Sequence, residues 1–297
     1  MNINVILSSV EQGLVYAIMA LGVYLTFRVL DFPDLTVDGS FPLGAAVGAK
    51  LIVSGWHPIL AVLIALVCGV LAGVITGILN TKLKITGLLS GILTMTALYS
   101  VNLRIMGRAN ISLLGSNKIF ALLTKLGISE ANGTFLFFVL SVAIVKFLID
   151  WFLKTELGLA LRATGDNKQM VRSLGVNTDL TVILGLGLSN GLVALSGALV
   201  AQHQGFTDVK MGIGMIIIGL ASVIIGEAII RNKKIKWATL GVVLGSVIYR
   251  LVITIALRLN LNPNDLKLIT AILVILALGT PAIKEKFNTN KLTGGVS

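Results

Sequence analysis

Apolar residues run along this chain in blocks, separated by short stretches of glycine, charge and amide. The blocks fall at 5–30, 40–54, 58–80, 87–106, 134–153, 179–201, 213–230, 237–257 and 267–283. A helix needs roughly 20 apolar residues to cross a hydrocarbon core, so eight of the blocks read as full spans. The ninth, 40–54, is short and follows DFPDLTVDGS, which is rich in helix breakers and carboxylates. It reads as half of a broken helix or as a re-entrant one, because irregular backbone at membrane depth needs protein or water around it. The pattern predicts an all-α polytopic membrane protein of about eight to ten transmembrane helices, with the broken or re-entrant element near 31–54. It forms one transmembrane domain over 1–297.

Composition agrees. Of 297 residues, 56% are hydrophobic and 12% are charged, against about 25% charged in an ordinary soluble domain. The net charge of +11 is carried largely between the blocks, which marks topology rather than nucleic-acid binding, since Lys and Arg collect in loops that stay in the cytoplasm. By that rule 155–178, 231–236 and the tail 284–297 lie inside and 107–133 lies outside, despite Arg108, Lys118 and Lys125. The C-terminus is then cytoplasmic. The N-terminus is outside if 40–54 spans and inside if it is re-entrant. The first block has no basic leader and reads as a spanning helix, not a cleaved signal. Cys68 is the single cysteine and reads as a small hydrophobe.

Glycines recur four apart at Gly69, Gly73 and Gly77, at Gly187 and Gly191, and at Gly241 and Gly245. Such spacing serves close helix packing, within a subunit or between subunits. There is a faint internal echo. Gly13-Leu14-Val15 leads into the polar break at 31–40, and Gly191-Leu192-Val193 leads into a second break, QHQGFTDVKMG, at 202–212. Transporters with repeats place discontinuous helices on the substrate path. The path candidates are therefore Asp31, Asp34, Thr36, Asp38 and Ser40 in the first break, and Gln202, His203, Gln204 and Asp208 in the second.

The sequence carries no G-x-x-x-x-G-K-[ST] for ATP phosphates. His57 and His203 have no metal-spaced neighbours, and no nucleophile–base set is present. No enzyme and no bound cofactor or metal is expected of this chain. Glu227 lies close enough to its block's end to reach the surface.

The longest polar interruption is ELGLALRATGDNKQMVRSLGVN, 156–177. Asp166 or Asn167 suits an N-cap, Lys168 to Leu174 a short helix, and Gly175 a left-handed end. A turn is expected at Thr164-Gly165. Met170, Val171 and Leu174 share one face of the helix, with Lys168 and Arg172 near the other. Such a helix rests on anionic lipid or docks into a protein groove.

The run Gly158, Arg162, Ala163, Gly165, Asn167, closed by Leu174-Gly175-Val176, resembles the cytoplasmic coupling loop of bacterial ABC import permeases, above all those for branched-chain amino acids and ribose. LVYAIMALGVYLTF at 14–27 is similar to that family's first helix. DLTVDGS at 34–40 is similar to the D-L-S-V-G-S of its sugar permeases, with Asp38 as an extra residue. The resemblance implies a permease subunit in the bacterial plasma (inner) membrane, paired with a second permease subunit as a homodimer. It implies two separate cytoplasmic ATPase subunits carrying ATP and Mg, and an extracytoplasmic binding protein. Coupling runs through the 165–175 helix, with Gly158, Arg162, Ala163, Gly165, Asp166, Asn167, Lys168, Met170, Val171, Leu174 and Gly175 as its residues. The expected cargo is a small polar solute, first an amino acid, aromatic ones included, then a nucleoside or sugar. The rival expectations are an ion-coupled carrier working without an ATPase and a membrane scaffold with no path.

Overall fold

The computed structural model describes residues 3–115, 119, 130–230, 232, 234–258, 268, 270–272 and 275. Most of the last apolar block, 267–283, the tail 284–297 and part of 107–133 lie outside these residues. The elements are α1 (Ile3–Tyr24), continued by a π-helical turn Leu25–Val29, then α2 (Val37–Val53), α3 (Pro58–Thr81), α4 (Gly87–Met106), β1 (Asn110–Ser112), α5 (Glu130–Phe152), α6 (Glu156–Asp166), α7 (Lys168–Ser173), α8 (Thr178–Gln204), β2 (Phe206–Asp208), α9 (Met215–Ile229) and α10 (Ile235–Arg258).

Among the described residues six helices are long and apolar enough to cross a membrane. These are α1, α3, α4, α5, α8 and α10. The block at 213–230, which the pattern gives as a full span, is instead the 15-residue α9. The block's first two residues belong to a turn that ends at Gly214. The short block is α2, 17 residues long, and it is broken rather than re-entrant.

Local chemistry explains the ends. Pro58 opens α3 behind His57, whose Nδ1 accepts from Ile59 N at 3.3 Å. Asn177 caps α8, accepting from Asp179 N and Leu180 N. Gly107 and Gly205 end α4 and α8 in the left-handed conformation, which costs a residue without Cβ nothing.

The face that carries α6 and α7 is called basal here and the opposite one distal. α1 ends basally, where Gly165 lies against the Val29 carbonyl and Leu30. α4 and α8 both rise to the distal face, and there β1 pairs antiparallel with β2, Ile111 opposite Thr207. The C-terminal half of α2 (Ala45, Ala46, Ala49, Ile52) packs with Ile111, Ala201 and Val209 at that end. α9 descends again, and Glu227 near its end pairs with Arg28 at 2.6 Å on the basal side. α5 ends and α10 begins there too, tied by Thr239 Oγ1 donating to Asp150 Oδ1 at 2.7 Å. The segments 155–178 and 234–236 thus share one face, and α1 starts from the other.

The same plan appears twice in opposite directions. α1 runs to the basal face, the chain turns back, and α2 starts part-way up. α8 runs to the distal face, the chain turns back, and α9 starts part-way down. α1 packs on α10 as α8 packs on α3. The faint sequence echo is therefore an inverted repeat in the fold.

The glycine spacings are internal packing, not a subunit interface. A Cβ on Gly69 or Gly73 would strike the α8 backbone at Asn190 or Leu186, and one on Gly245 would strike Ser222 of α9. With lipid outside, such close approach supplies the dispersion contact that holds the helices together. Replacing Gly73 by Ala should destabilise the fold by about 1–3 kcal/mol through overpacking. Gly187→Ala, whose new atom meets the Val74 side chain at 3.3 Å and Val70 at an ordinary 3.6 Å, should cost far less. Thermal denaturation of the two detergent-solubilised variants checks this, and equal losses would refute the packing account.

Candidate functional site

Two places combine polar chemistry with backbone that departs from regular helix. One is the break between the half-helices and the other is the basal surface.

At the break, Asp34 is 2% exposed. Its Oδ1 accepts from Thr36 N at 2.9 Å and its Oδ2 from Asn190 Nδ2 at 2.7 Å. Thr36 Oγ1 and Thr76 Oγ1 are 2.8 Å apart, and Thr76 Oγ1 donates to Thr94 Oγ1 at 2.9 Å. A hydroxyl chain thus ties the start of α2 to α3 and α4. Ser40 is fully buried as well. Asp38 has a separate role. Gly214 gives α9 no side-chain cap of its own. The Asp38 carboxylate supplies one from α2, accepting from Gly214 N at 2.9 Å and Ile216 N at 2.8 Å. A carboxylate there satisfies donors that a helix N-terminus leaves open and lies on its positive end.

Asp31 stands apart from these. It is exposed on the basal side with φ +52°, where the chain reverses out of α1. Gln202 is buried at the distal end of α8, its Oε1 accepting from Ile119 N at 3.0 Å. His203 stands edge-on to Phe138, ring centroids 5.3 Å apart. Gln204 is exposed. Asp208 sits in β2, its Oδ1 accepting from Lys210 N at 2.7 Å. The two breaks are therefore not one cluster of side chains. Asp34, Thr36 and Ser40 are sealed among helices, and the second group lies about 18 Å beyond Asn190 along α8 at 1.5 Å per residue. Asn190, Thr76 and Thr94 complete the first break and were missed. Each sits inside an apolar block, and the one signal is an amide mid-block at Asn190.

On the basal surface α6 replaces the expected turn: Thr164 and Gly165 are helical. Gly165 needs no turn, because its lack of Cβ serves close contact with Val29 and Leu30. Thr155 caps α6, accepting from Gly158 N at 3.3 Å. Leu161 is buried beside Gly185, while Arg162 and Asp166 are exposed and Ala163 is partly so. Asn167 is the cap of α7, its Oδ1 accepting from Met170 N at 2.9 Å. Gly175 is left-handed at φ +84° and Val176 N donates to Val171 O, the double closure of a helix end. Arg172 pairs with Asp179 at 3.0 Å.

The expected common face of α7 is divided. Val171 is 2% exposed and anchors the helix to its own subunit, whereas Met170 and Leu174 stand 49% and 72% exposed. Beside α7 opens a pocket of ≈ 310 Å³ lined by Leu30, Asp31, Phe32, Asn80, Gly165 and Lys168, among others.

These features define an all-α, multi-pass membrane protein built on an inverted repeat with a capped surface helix. Residues 5–279 match the family described as branched-chain amino acid transport system / permease component, and the chain belongs to that family, whose members are permeases of ABC importers. It is 48% identical to the tyrosine transport system permease protein of Clostridioides difficile, over 93% of this chain and 90% of that one. It is 28% identical to the autoinducer 2 import system permease protein LsrC of Salmonella typhimurium, over 75% and 62% respectively. The fold is similar to PsaBC from Streptococcus pneumoniae, solved with a Fab, at TM-score 0.53 and 15% identity, covering 92% of this chain and 89% of that one.

Asp38→Ala should lower stability by about 2 kcal/mol, the usual cost of buried donors left without a charged acceptor. Asp38→Asn, which keeps one acceptor oxygen, should lose less. Chemical or thermal denaturation of both ranks them, and an Ala variant as stable as the parent would show that the cap is dispensable.

Proposed function

We propose that this chain is the membrane subunit of an ATP-driven importer that moves an amino acid, aromatic in its preferred cargo, into a bacterial cell. The observation that carries the reading is α7. A helix of six residues is too short to hold itself, yet this one is capped at both ends, rooted by Val171 and left with Met170 and Leu174 bare. That is the form of a rigid knob for a partner's groove. α7 follows α6 with one residue between them, and Gly165 of α6 touches the end of α1, so force applied to α7 reaches the break.

The partner is a cytoplasmic ATPase subunit that binds ATP and Mg. Two of them serve two copies of this chain, and an extracytoplasmic binding protein delivers the cargo. The basal face is then cytoplasmic, which agrees with Arg162, Lys168, Arg172, Lys234 and Lys236 upon or near it, and the N-terminus is extracytoplasmic. The aromatic cargo follows from the relative named for tyrosine transport. Gly158 serves the geometry: a Cβ there would strike the Phe152 carbonyl.

Met170→Ala with Leu174→Ala should release the ATPase, since buried apolar anchors are worth about 1–3 kcal/mol each at an interface, while leaving the membrane fold intact. Val171→Ala should instead loosen α7 on its own subunit and lower thermal stability. Co-purification of the ATPase, with ATP-dependent uptake of tyrosine against ribose in proteoliposomes, tests both parts. A double variant that keeps its ATPase and transports normally would refute the coupling role. Uptake that persists without ATP would favour an ion-driven carrier, and competition by ribose but not tyrosine would overturn the cargo.

A further inference from the structure

The basal pocket beside α7 holds two opposite charges that do not meet. Asp31 and Lys168 both line it and both are exposed. Among the described residues neither side chain has an ion-pair or hydrogen-bond partner. Two other basic groups on this face have found carboxylates, Arg28 with Glu227 at 2.6 Å and Arg172 with Asp179 at 3.0 Å. Asn80 adds a third polar group to the pocket wall. Its Nδ2 donates to Ile85 O at 2.8 Å, and its Oδ1 has no partner among the described residues. Leu30, Phe32 and Val182, all buried, give the pocket an apolar side.

That combination selects a ligand. A cavity of ≈ 310 Å³ stands at the lower end of small-ligand sites, which run from about 300 to 1,000 Å³, and so admits a molecule of amino-acid size. A lone anion would meet one cation and one repelling carboxylate, and a lone cation the reverse. A free amino acid carries its ammonium and its carboxylate on one carbon, so each pocket charge meets its opposite while the side chain lies on the apolar side.

The position gives binding a consequence. Asp31 and Phe32 belong to the link that leaves α1, and Asn80 to the end of α3. Thr164, Gly165 and Lys168 belong to α6 and α7. The pocket is thus a seam between the surface helices and the membrane body, next to the contact of Gly165 with the Val29 carbonyl and Leu30. On the body side the backbone is fixed: Asp31 is left-handed at φ +52°, and Phe32 N donates to Thr26 O at 2.9 Å. A ligand that holds Asp31 and Lys168 together bridges the seam.

We propose that this pocket binds a free amino acid from the basal side, with Asp31 and Asn80 taking its ammonium and Lys168 its carboxylate, and that the bound molecule clamps α7 to the membrane body and slows transport. The regulatory half rests on the importer reading above, and the binding half does not. The ligand is then the cargo itself, which accumulates on this side as import proceeds. Slowing requires that the seam hold it more tightly in the resting geometry than in the one the ATPase imposes, since a ligand shifts an equilibrium only by its differential affinity.

Binding is measured by calorimetry on the purified full-length chain in detergent, without the ATPase. L-Tyrosine should bind. Tyramine, which lacks the carboxylate, and the deaminated acid, which lacks the ammonium, should each bind about tenfold more weakly, the usual worth of one charge-assisted contact. Asp31→Asn keeps a residue that tolerates the left-handed backbone and should erase the preference over the deaminated acid. Lys168→Gln should erase the preference over tyramine. A cargo site elsewhere in the chain would show neither matched loss. Transport is read in proteoliposomes carrying the complete importer, with ATP inside and the binding protein and labelled tyrosine outside. Tyrosine preloaded inside should cut initial uptake and ATP turnover severalfold in the parent, preloaded tyramine should not, and both variants should escape the inhibition. If both variants bind tyrosine like the parent, the proposal falls. If they lose binding yet preloading inhibits them as strongly, the regulatory half is overturned. If they lose co-purified phosphatidylethanolamine and keep tyrosine binding, a lipid headgroup is the occupant and the proposal falls. It falls too if Asp31→Asn loses the ATPase, which would assign the pocket to that interface. Failure of the importer reading shows separately, as an ATPase retained by the Met170 and Leu174 double variant, and leaves the binding result standing.

Discussion

The structure depends on one carboxylate reaching across a gap in the membrane. Two half-helices, α2 and α9, begin at depth, where no bulk water completes their open amides. An unsatisfied backbone group in that setting costs several kcal/mol. Asp38, in the first turn of α2, meets two of the amides at the start of α9. Asp34 meets one at the start of α2 and is held in turn by Asn190 of α8. Each break is therefore completed by a side chain from outside the helix it caps, and neither half of the repeat can be moved without consequence for the other.

This arrangement separates rigidity from movement. Where α3 meets α8 and α9 meets α10, backbones touch through glycine, and interlocking of that kind tolerates little sliding. The link 30–36 is irregular chain that reverses at Asp31, φ +52°. It touches α6 below and α4 alongside, and Asp34 and Thr36 within it are held by hydrogen bonds. Arg28–Glu227, exposed at the foot of the repeat, is the sort of contact that re-forms at small cost.

Much of this was legible from residues alone, and what was not follows a pattern. The α7 cap at Asn167 and the left-handed Gly175 are local chemistry, and they were readable because the interacting groups lie within a few residues. The breaks were visible for the same reason. The orientation of Val171 was not. Three apolar residues at i, i+1 and i+4 share a side of an isolated helix, but which of them turns inward depends on where α6 sets it down. α9 read as a full span because Gly214, where the helix starts, lies inside the apolar block and carries no polar mark. The inverted repeat was a three-residue echo, because what repeats is direction and length, not side chains. Asn190, Thr76 and Thr94 were hidden because each matters only beside residues 18 to 156 positions away.

Asp38 also bears on the cargo. As an extra carboxylate beside a motif similar to that of sugar permeases, it reads as a selectivity group, a counter-charge for an amine. Its geometry argues otherwise. Both of its oxygens accept from backbone amides of α9, so a cargo ammonium would have to compete with donors already in place and would uncap a helix if it won. Asp34 is committed in the same way, one oxygen to Thr36 and the other to Asn190. Asp34 and Asp38 thus hold helix ends in the fold rather than stand free for what passes. A counter-charge for a cargo amine has then to come from groups other than these two carboxylates, both of which are already occupied in holding helix ends.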